Sequence, residues 1–418
     1  RPDRPRRRAT EKHESGRVDR ARSERHGTMG RTARSGSDTT RGDEVVTTTH
    51  LLATQVGGVI RSPLRHLDRD SVSQAAKRES RNREHALPPV TVYRWWARRT
   101  EAVTGALVDA AALDVRREQL VVSDPFAGGG VIPLAAAVRG HRVYAQDLNS
   151  WAVHGLRSMM SPPDPQALRD GFAVLQQRAD EEAEAAYGTR MSNGDVGWVS
   201  HTFRVAVSAC RHCGHRHRLF PHALVSLKVR AERGASEAFV ACSQGHLFDG
   251  DRLTVSSCPD CGEQVDPTRN YTTRREVTCP HCGTSERLSE RATAAAFDWE
   301  VVLIERSNDR RRELALPRRS EILQAGDTRW APQRDLGMIP TGLETSVLLR
   351  HGFPSWNDVY PRRQRWMTEH LLDHATDASP DSRVNEALTL AIIGTTEMAG
   401  HLSRWDRYYL TSYESMAN

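Results

Sequence analysis

The hydrophobic pattern of the chain places two short strands and a helix around one glycine-rich loop. The apolar residues 120–122, two of which are β-branched valines, predict a buried strand. A helical pattern follows over residues 131–139 and stops before Gly140, where glycine favours a helix end. Residues 142–145 then predict a second strand. This order of strand, loop, helix and strand predicts an α/β unit with parallel strands.

The loop between the first strand and the helix carries candidate binding chemistry. It has the sequence DPFAGGG over residues 124–130, and Asp147 stands at the end of the second strand. Gly128 and Gly130 lack a Cβ and allow a ligand to approach the backbone closely. Asp147 is placed to accept hydrogen bonds from a ribose diol. Asp124 would repel a pyrophosphate but suits a positive amino or sulfonium group.

These four residues, Asp124, Gly128, Gly130 and Asp147, therefore predict a site for S-adenosyl-methionine. The alternative is a tight turn of the kind that any α/β protein can contain. Two acids at neighbouring strand ends favour the cofactor site over that alternative.

Two motifs resemble those of a known family. Residues 124–149 resemble the cofactor loop of amino-directed DNA methyltransferases, and residues 93–99 (YRWWARR) resemble a motif of the adenine-specific DNA methylases that contain a zinc ribbon. The likeness extends from about residue 88 to the C-terminus. It implies an α/β, Rossmann-like methyltransferase fold, incomplete in this chain, with an inserted zinc-ribbon module. It also implies DNA as the partner.

The resemblance adds four residues to the cofactor site, namely Tyr93, Arg94, Phe126 and Leu148. Trp95 and Trp96 are equally consistent with covering the cofactor and with joining a helix to the core of the sheet.

The cysteine pattern predicts two zinc ions. Cys258, Cys261, Cys279 and Cys282 form two CxxC motifs, each followed by glycine, and four thiolates at such a spacing suit one tetrahedral zinc. The remaining cysteines and one histidine predict a second site, made of Cys210, Cys213, Cys242 and His246. Three other histidines, His212, His215 and His217, compete for the position given to His246. Closed four-ligand sites of this kind are structural.

Composition divides the chain into five segments. Residues 1–85 are rich in polar residues and predict a disordered basic tail. Residues 86–160 are the predicted cofactor-binding part, 161–198 a helical connector, 199–305 the zinc-ribbon insert, and 306–418 loops and helices that continue the first domain. Helices are expected over residues 100–112, 166–186, 362–375 and 382–401, with Ser382 as an N-cap.

Charge and hydropathy change this interpretation little. The net charge is +6, but residues 1–50 hold most of that excess and nearly all basic residues are arginine, so the charge supports DNA binding only weakly. No apolar run is long enough to cross a bilayer and the N-terminus lacks an apolar signal core, so we expect a cytoplasmic protein.

One element expected of an amino methyltransferase is not found in this sequence. Such enzymes hold the target amine with Asp, Asn or Ser followed by Pro-Pro and an aromatic residue. The nearest stretch is Ser161-Pro162-Pro163-Asp164, which has an acid in the aromatic position. We therefore expect this chain to be the cofactor-binding N-terminal part of a larger or split DNA methylase. Adenine is the expected target base, and cytosine is the alternative. The missing motif would come from a second chain or a downstream segment.

Two other functions stay open at this point. The first is a non-catalytic zinc-ribbon protein that binds DNA and keeps a methyltransferase fold. The second, with weaker support, is a methyltransferase that acts on RNA or protein.

Overall fold

The computed structural model describes residues 62–413, apart from short gaps at 83–84, 88–94, 96–97, 232–233, 274, 295–296 and 327. Tyr93, Arg94 and Trp96 therefore lie outside the described residues, as does most of the predicted basic tail.

The helices are α1 (Arg69–Arg81), α2 (Glu101–Val115), α3 (Val131–Ala137), α4 (Ser150–Met160), α5 (Pro165–Tyr187), α6 (Leu288–Ala294), α7 (Arg319–Ala325), α8 (Ser346–Arg350), α9 (Trp356–Val359), α10 (Arg362–Ala375) and α11 (Ser382–Thr395), with 3-10 turns at Pro63–His66 and Thr396–Met398. The strands are β1 (Val121–Asp124), β2 (Arg142–Ala145), β3 (Gly188–Arg190), β4 (Val196–Ala209), β5 (Arg216–Arg218), β6 (Leu224–Leu227), β7 (Glu237–Ala241), β8 (Leu247–Asp251), β9 (Ser256–Ser257), β10 (Gln264–Val265), β11 (Thr272–Thr273), β12 (Glu276–Thr278), β13 (Ser285–Arg287), β14 (Asp298–Ser307), β15 (Arg312–Ala315), β16 (Arg404–Asp406) and β17 (Thr411–Tyr413).

Helix α1 lies inside the stretch predicted to be disordered, so that prediction is wrong for these residues. Asp68 caps the helix by accepting a hydrogen bond from the backbone N–H of Ser71 at 3.1 Å. Near its C-terminal end, the Glu79 carboxylate accepts from the backbone N–H groups of Glu101 and Ala102, at 2.8 and 3.0 Å. Glu79 thus satisfies the N-terminal donors of α2, a tertiary contact that composition cannot predict.

The predicted strand–helix–strand unit forms, but the expectation that its first strand is buried is wrong, since Val121 is 70% exposed. Strands β1 and β2 pair in parallel, with Val121 opposite Arg142 and Asp124 opposite Ala145. Helix α3 connects them and buries Val131 and Leu134 in a cluster with Leu156 and Met159 of α4. Both strands consequently end at the same edge, where the glycine loop and Asp147 lie.

A larger antiparallel sheet carries the predicted zinc-ribbon insert. Its strands run in the order β15-β14-β4-β3, and β5 pairs with the end of β4. The long pairing of β4 with β14 brings together the two ends of the insert, residues 196–209 and 298–307. Between those ends lie two three-stranded sheets, β6-β7-β8 and β11-β12-β13, and the β9-β10 hairpin.

Helices α5, α10 and α11 pack together on apolar faces. Leu175, Ala375, Val384 and Leu388 are buried where the three helices meet. The prediction for α10 is confirmed at both ends, whereas α11 stops at Thr395 and continues as a 3-10 turn. Its N-cap is Asp381, one residue before the predicted Ser382, and its carboxylate accepts from the N–H of Arg383 at 2.9 Å.

These elements make a mixed α/β protein built from helices and several small sheets. Within the described residues, none of the helices has the length and apolar character needed to cross a membrane.

Candidate functional site

Four turns of antiparallel hairpins present the sulfur and imidazole side chains. The turns join β4 to β5, β7 to β8, β9 to β10, and β12 to β13. In each turn the first cysteine is buried and is followed within four residues by a second ligand. Those buried residues are Cys210, Cys242, Cys258 and Cys279. Glycines that follow three of the CxxC motifs have positive φ values of 74°, which lets each turn close tightly around its sulfurs.

The first metal cluster consists of Cys210, Cys213, Cys279 and Cys282. The Sγ atoms of Cys210 and Cys282 are 3.8 Å apart, and those of Cys213 and Cys279 are 3.7 Å apart. A tetrahedron of sulfurs at a Zn–S distance of about 2.3 Å has edges of about 3.8 Å. The side chains thus stand at the separations that zinc requires.

The second metal cluster consists of Cys242, His246, Cys258 and Cys261. The Nδ1 atom of His246 lies 3.4 Å from Sγ of Cys242 and 3.7 Å from Sγ of Cys258. The Sγ atoms of Cys242 and Cys261 are 3.8 Å apart. Three thiolates and one imidazole are a usual donor set for structural zinc. The eight predicted ligands are thus confirmed as two clusters that could hold metal.

The predicted division of those eight ligands is wrong. The sequence predicted that Cys258 and Cys261 share a zinc ion with the next CxxC motif, Cys279–Cys282. In the structure they face the Cys242–His246 turn instead. Cys258 is buried with Cys242 and Val240 in the core under the β6-β7-β8 sheet. In the sequence, all ligands of the second cluster lie between the two halves of the first, so the two sites are nested rather than consecutive.

Among the candidate histidines, His246 is the one that lies with the cysteines of the second cluster. His217 is buried, and its Nε2 lies 3.3 Å from a guanidinium nitrogen of Arg291. Burial, and then the charge of Arg291, lower the pKa of His217. His215 stacks on His217 and His281, with ring centroids 5.9 and 5.2 Å apart. These histidines therefore pack around the first cluster without belonging to its ligand set.

Two carboxylates that sequence reasoning missed fasten the paired turns to each other. Glu263 accepts hydrogen bonds from the backbone N–H and the hydroxyl of Ser243, at 2.9 and 2.6 Å. Glu286 accepts from the backbone N–H of Arg211 at 3.2 Å and from Arg291 at 2.7 Å. Burial opposes ionisation of Glu286, but these donors outweigh it and lower its pKa. The available signal is an acid one to three residues after the glycine of a CxxC motif.

The thiols of the clusters differ in acidity before metal binds. Burial raises the pKa of Cys242 to about 12, whereas the hydroxyl and backbone N–H of Thr284 lower that of Cys282 to about 6. Zinc takes thiolates as ligands, so its binding releases the protons that such thiols hold.

The glycine loop is linked directly to the end of the second strand. The backbone N–H of Gly128 donates to one carboxylate oxygen of Asp147 at 2.8 Å, and the N–H of Asn149 donates to the other at 2.8 Å. These two donors, Asn149 first, lower the pKa of Asp147. Each carboxylate oxygen keeps a second lone pair, so Asp147 can still accept from a diol.

The other predicted cofactor residues occupy distinct positions around the loop. Asp124 is 9% exposed and accepts from the backbone N–H of Phe126 at 3.1 Å. Phe126 is 81% exposed and Leu148 fully exposed, both on the side where β1 and β2 end. Gly130 has a φ of 72° and abuts Leu156 and Met159. The structure thus brings together Gly128 and Asp147, and turns Asp124 inward.

Trp95 packs against the glycine loop. Its Nε1 atom lies 2.9 Å from the place that a Cβ of Gly128 would occupy, and its Cβ lies 3.1 Å from that of Gly129. The indole also contacts the cluster formed by α3 and α4. Trp95 therefore lies between the loop and the helices, a position that fits both roles considered for it.

Comparisons of the chain with family models, with curated proteins and with solved structures find no match.

Proposed function

We propose that this protein is an S-adenosyl-methionine-dependent DNA methyltransferase, or its cofactor-binding part, directed at the exocyclic amine of adenine. The observation that carries the proposal is the 2.8 Å hydrogen bond between Gly128 and Asp147, which joins the glycine loop to the acid at the end of β2. The resemblance of the DPFAGGG and YRWWARR motifs to those of zinc-ribbon DNA methylases supports the same function.

The residues around the loop fit the cofactor in chemistry and exposure. Asp147 would accept the ribose hydroxyls, because its carboxylate lies at the carboxyl end of a parallel strand and retains free lone pairs. Phe126 and Leu148 are exposed beside it and offer apolar surface to an adenine ring. When bound, the cofactor supplies an electrophilic methyl group. The parallel β1–α3–β2 unit is the building block of a Rossmann-like sheet, which we propose as the complete fold.

The two metal clusters would each hold one zinc ion in a structural role. Both donor sets are closed, with four protein ligands and no open position for substrate. Zinc would fix the four hairpin turns relative to one another. We propose that the resulting rigid insert contacts DNA beside the methyltransferase domain.

Calorimetric titration of S-adenosyl-methionine into the zinc-loaded protein tests the proposal. We expect Asp147→Ala to weaken binding by roughly 10- to 100-fold, because a charge-assisted pair to the ribose is lost. Asp195→Ala is the control, since Asp195 is an exposed acid in the turn before β4. Absence of binding by the parent protein would refute the proposed cofactor site.

Activity of the chain by itself is a separate question. The amine of a base is a weak nucleophile because its lone pair is delocalised into the ring, and positioning that lone pair supplies much of the rate. This sequence contains no Asp-Pro-Pro-Tyr-type motif to hold the amine. We therefore expect negligible transfer of tritiated methyl groups to double-stranded DNA by this chain alone, and activity once a polypeptide carrying that motif is added. Robust transfer by the chain alone would show that it contains its own amine-binding residues.

A second candidate function is a zinc-ribbon protein that binds DNA without catalysis. The inward orientation of Asp124 favours it, since this carboxylate is buried and already accepts from Phe126. The two functions differ in one measurement. A non-catalytic protein would bind duplex DNA in a zinc-dependent manner and show no S-adenosyl-methionine binding by calorimetry.

A further inference from the structure

A cavity of about 490 Å³ lies away from the glycine loop, between β4, α10 and the C-terminal hairpin β16–β17. Its size is in the range of small-molecule sites. One part of its wall is aromatic. The ring of Trp405 meets Phe203 edge-on at 4.8 Å and lies 5.2 Å from His201. The Nε1 atom of Trp405 donates to the hydroxyl of Ser226 at 3.0 Å, which fixes the orientation of the indole.

Another part of the wall offers buried polar atoms. The Oε1 atom of Gln364 and the Nδ1 atom of His401 are inaccessible to solvent and have no hydrogen-bond partner within the described residues. Burying such atoms without a partner costs about 1–3 kcal/mol each. His401 stacks on Trp299 with ring centroids 4.4 Å apart, so its ring is held in place. Gln364 as a whole is half-buried and lines the cavity, so its amide can turn toward a ligand that carries an amide-like group.

The charge of the cavity is positive. Arg204 lines it and donates to the carbonyl of Ala325 at 2.9 Å, and Arg404 stands at its exposed rim. No Asp or Glu is among the described residues that line this cavity. Glu305 pairs with the lining residue His201 at 2.8 Å, but the same carboxylate also binds Arg312. An anionic ligand is therefore favoured over a cationic one.

The charge of Arg204 affects the pKa values of two neighbouring side chains. Burial, and then Arg204, lower the pKa of His401 to about 3, so this imidazole is neutral at physiological pH. Burial raises the pKa of Tyr187, which also lines the cavity, although Arg363 and Arg204 oppose that rise. The cavity thus combines the positive charge of the half-buried Arg204 with neutral hydrogen-bonding groups and aromatic rings.

We propose that this cavity binds a nucleotide, with its base against Trp405 and Phe203 and its phosphate toward Arg204. A nucleotide supplies the three features that the wall calls for, namely a flat ring, edge groups that can meet the Gln364 amide, and an anion. The shared chemistry is present in a free mononucleotide and in a nucleotide unit of single-stranded DNA. The proposal does not rest on the methyltransferase function, because none of the residues of the glycine loop lines this cavity.

Titration of deoxyadenosine monophosphate into the zinc-loaded full chain, followed by calorimetry, tests the proposal. We expect saturable binding of one equivalent, and binding at least about tenfold weaker for deoxyadenosine and for inorganic phosphate, since each lacks one of the recognised groups. A single-stranded hexamer of deoxyadenylate distinguishes the two sources. Tighter binding of the hexamer assigns the cavity to DNA, and weaker binding assigns it to the free nucleotide.

Variants locate the binding site. Gln364→Leu preserves the size of the side chain and should weaken binding of the monophosphate by about tenfold, as should Arg204→Met, whereas Arg178→Met on an exposed helix surface should not. Circular dichroism of each variant separates a loss of binding from a loss of fold, and Gln364→Leu remains informative if Arg204→Met does not fold. Absence of saturable binding would overturn the proposal. Binding that survives Gln364→Leu but is lost in Asp147→Ala would also overturn it, because the nucleotide would then occupy the glycine loop.

Discussion

The Sγ atoms of Cys213 and Cys279 lie 3.7 Å apart although 66 residues separate them in the chain. Between them the chain completes a second cluster, which contains Cys242, His246 and Cys258. The inner cluster is part of a buried apolar core, whereas the outer cluster ties the first and the last hairpin of the insert together. In this nested arrangement, a zinc ion in the outer cluster would hold the two ends of the insert together.

The nested arrangement predicts how much zinc paired substitutions remove. Cys213→Ser with Cys282→Ser affects only the outer cluster and should leave one zinc per chain. Cys261→Ser with Cys282→Ser affects both clusters and should leave none. Metal analysis of the purified variants, with the parent protein as the two-zinc reference, measures this. Consecutive pairing of the motifs would give the opposite result, with one zinc retained in the second variant.

The carboxylate of Glu286 should matter for zinc affinity although it does not bind the metal. It fixes the Arg211 backbone beside Cys210, and residues that orient metal ligands typically contribute about 10- to 100-fold in affinity. We expect Glu286→Gln to weaken zinc binding within that range in a competition titration with a chromogenic chelator. Glu276→Gln, at an exposed position of the neighbouring strand β12, is the control. Equal affinities of the two variants would remove Glu286 from this role.

A buried ion pair should stabilise the sheet that carries the insert. Arg306 and Glu321 are each 4% exposed and form two hydrogen bonds, at 2.7 and 2.8 Å. Glu321→Gln removes the closer of the two carboxylates that pair with the guanidinium, while Glu313 stays 3.4 Å away. It should lower the free energy of unfolding by about 3 kcal/mol, the lower end of the range for a broken buried pair. Asp377→Asn breaks the exposed pair with Arg178 and should cost less than about 1 kcal/mol. Denaturant unfolding of the three proteins measures both values.

The same pair predicts a dependence of stability on acid. Hydrogen bonds from Arg306 and Thr189 outweigh burial and lower the pKa of Glu321 below its ordinary value. A lowered folded-state pKa contributes stability above the unfolded value of about 4.3, and that contribution is lost as the pH falls through the folded value. The free energy of unfolding, measured between pH 7 and pH 3, should therefore fall less steeply with decreasing pH for Glu321→Gln than for the parent protein. Parallel curves would contradict this. Acid release of zinc affects both proteins and cancels in the comparison.

Two glycines provide a matched test of the cofactor loop. Gly130 and Gly140 both have positive φ values, 72° and 81°, so alanine at either position should cost about 1–2 kcal/mol in backbone strain. A Cβ on Gly130 would in addition lie 2.9 Å from Leu156 and from Met159, while one on Gly140 would meet nothing within 4 Å. We expect Gly130→Ala to lower the melting temperature more than Gly140→Ala, and to weaken S-adenosyl-methionine binding where Gly140→Ala does not. Equal melting temperatures would show that α4 adjusts to the added methyl group.

The hydrophobic pattern was sufficient to predict the elements that are defined by neighbours in the chain. Strand β2 and helix α10 begin and end where the pattern indicates, because alternation and helical periodicity are local properties. Helix α1 was missed for the complementary reason. Its residues have a polar composition typical of disorder, and it is held by contacts such as that of Glu79 with the start of α2.

The sequence by itself determined which side chains could bind metal, since a CxxC turn followed by glycine is formed by adjacent residues. The tertiary structure alone decided which turns face each other. Cys258 packs with Cys242 and Val240 of the preceding turn, which leaves the turns of Cys213 and Cys279, 66 positions apart, to face each other. Closing that longer loop costs little additional entropy. The contact of Gly128 with Asp147 follows from the parallel pairing that the pattern predicts. The cavity between β4, α10 and the C-terminal hairpin could not be predicted in this way. Its walls come from segments about 200 residues apart, and a local sequence pattern does not indicate that such segments are in contact.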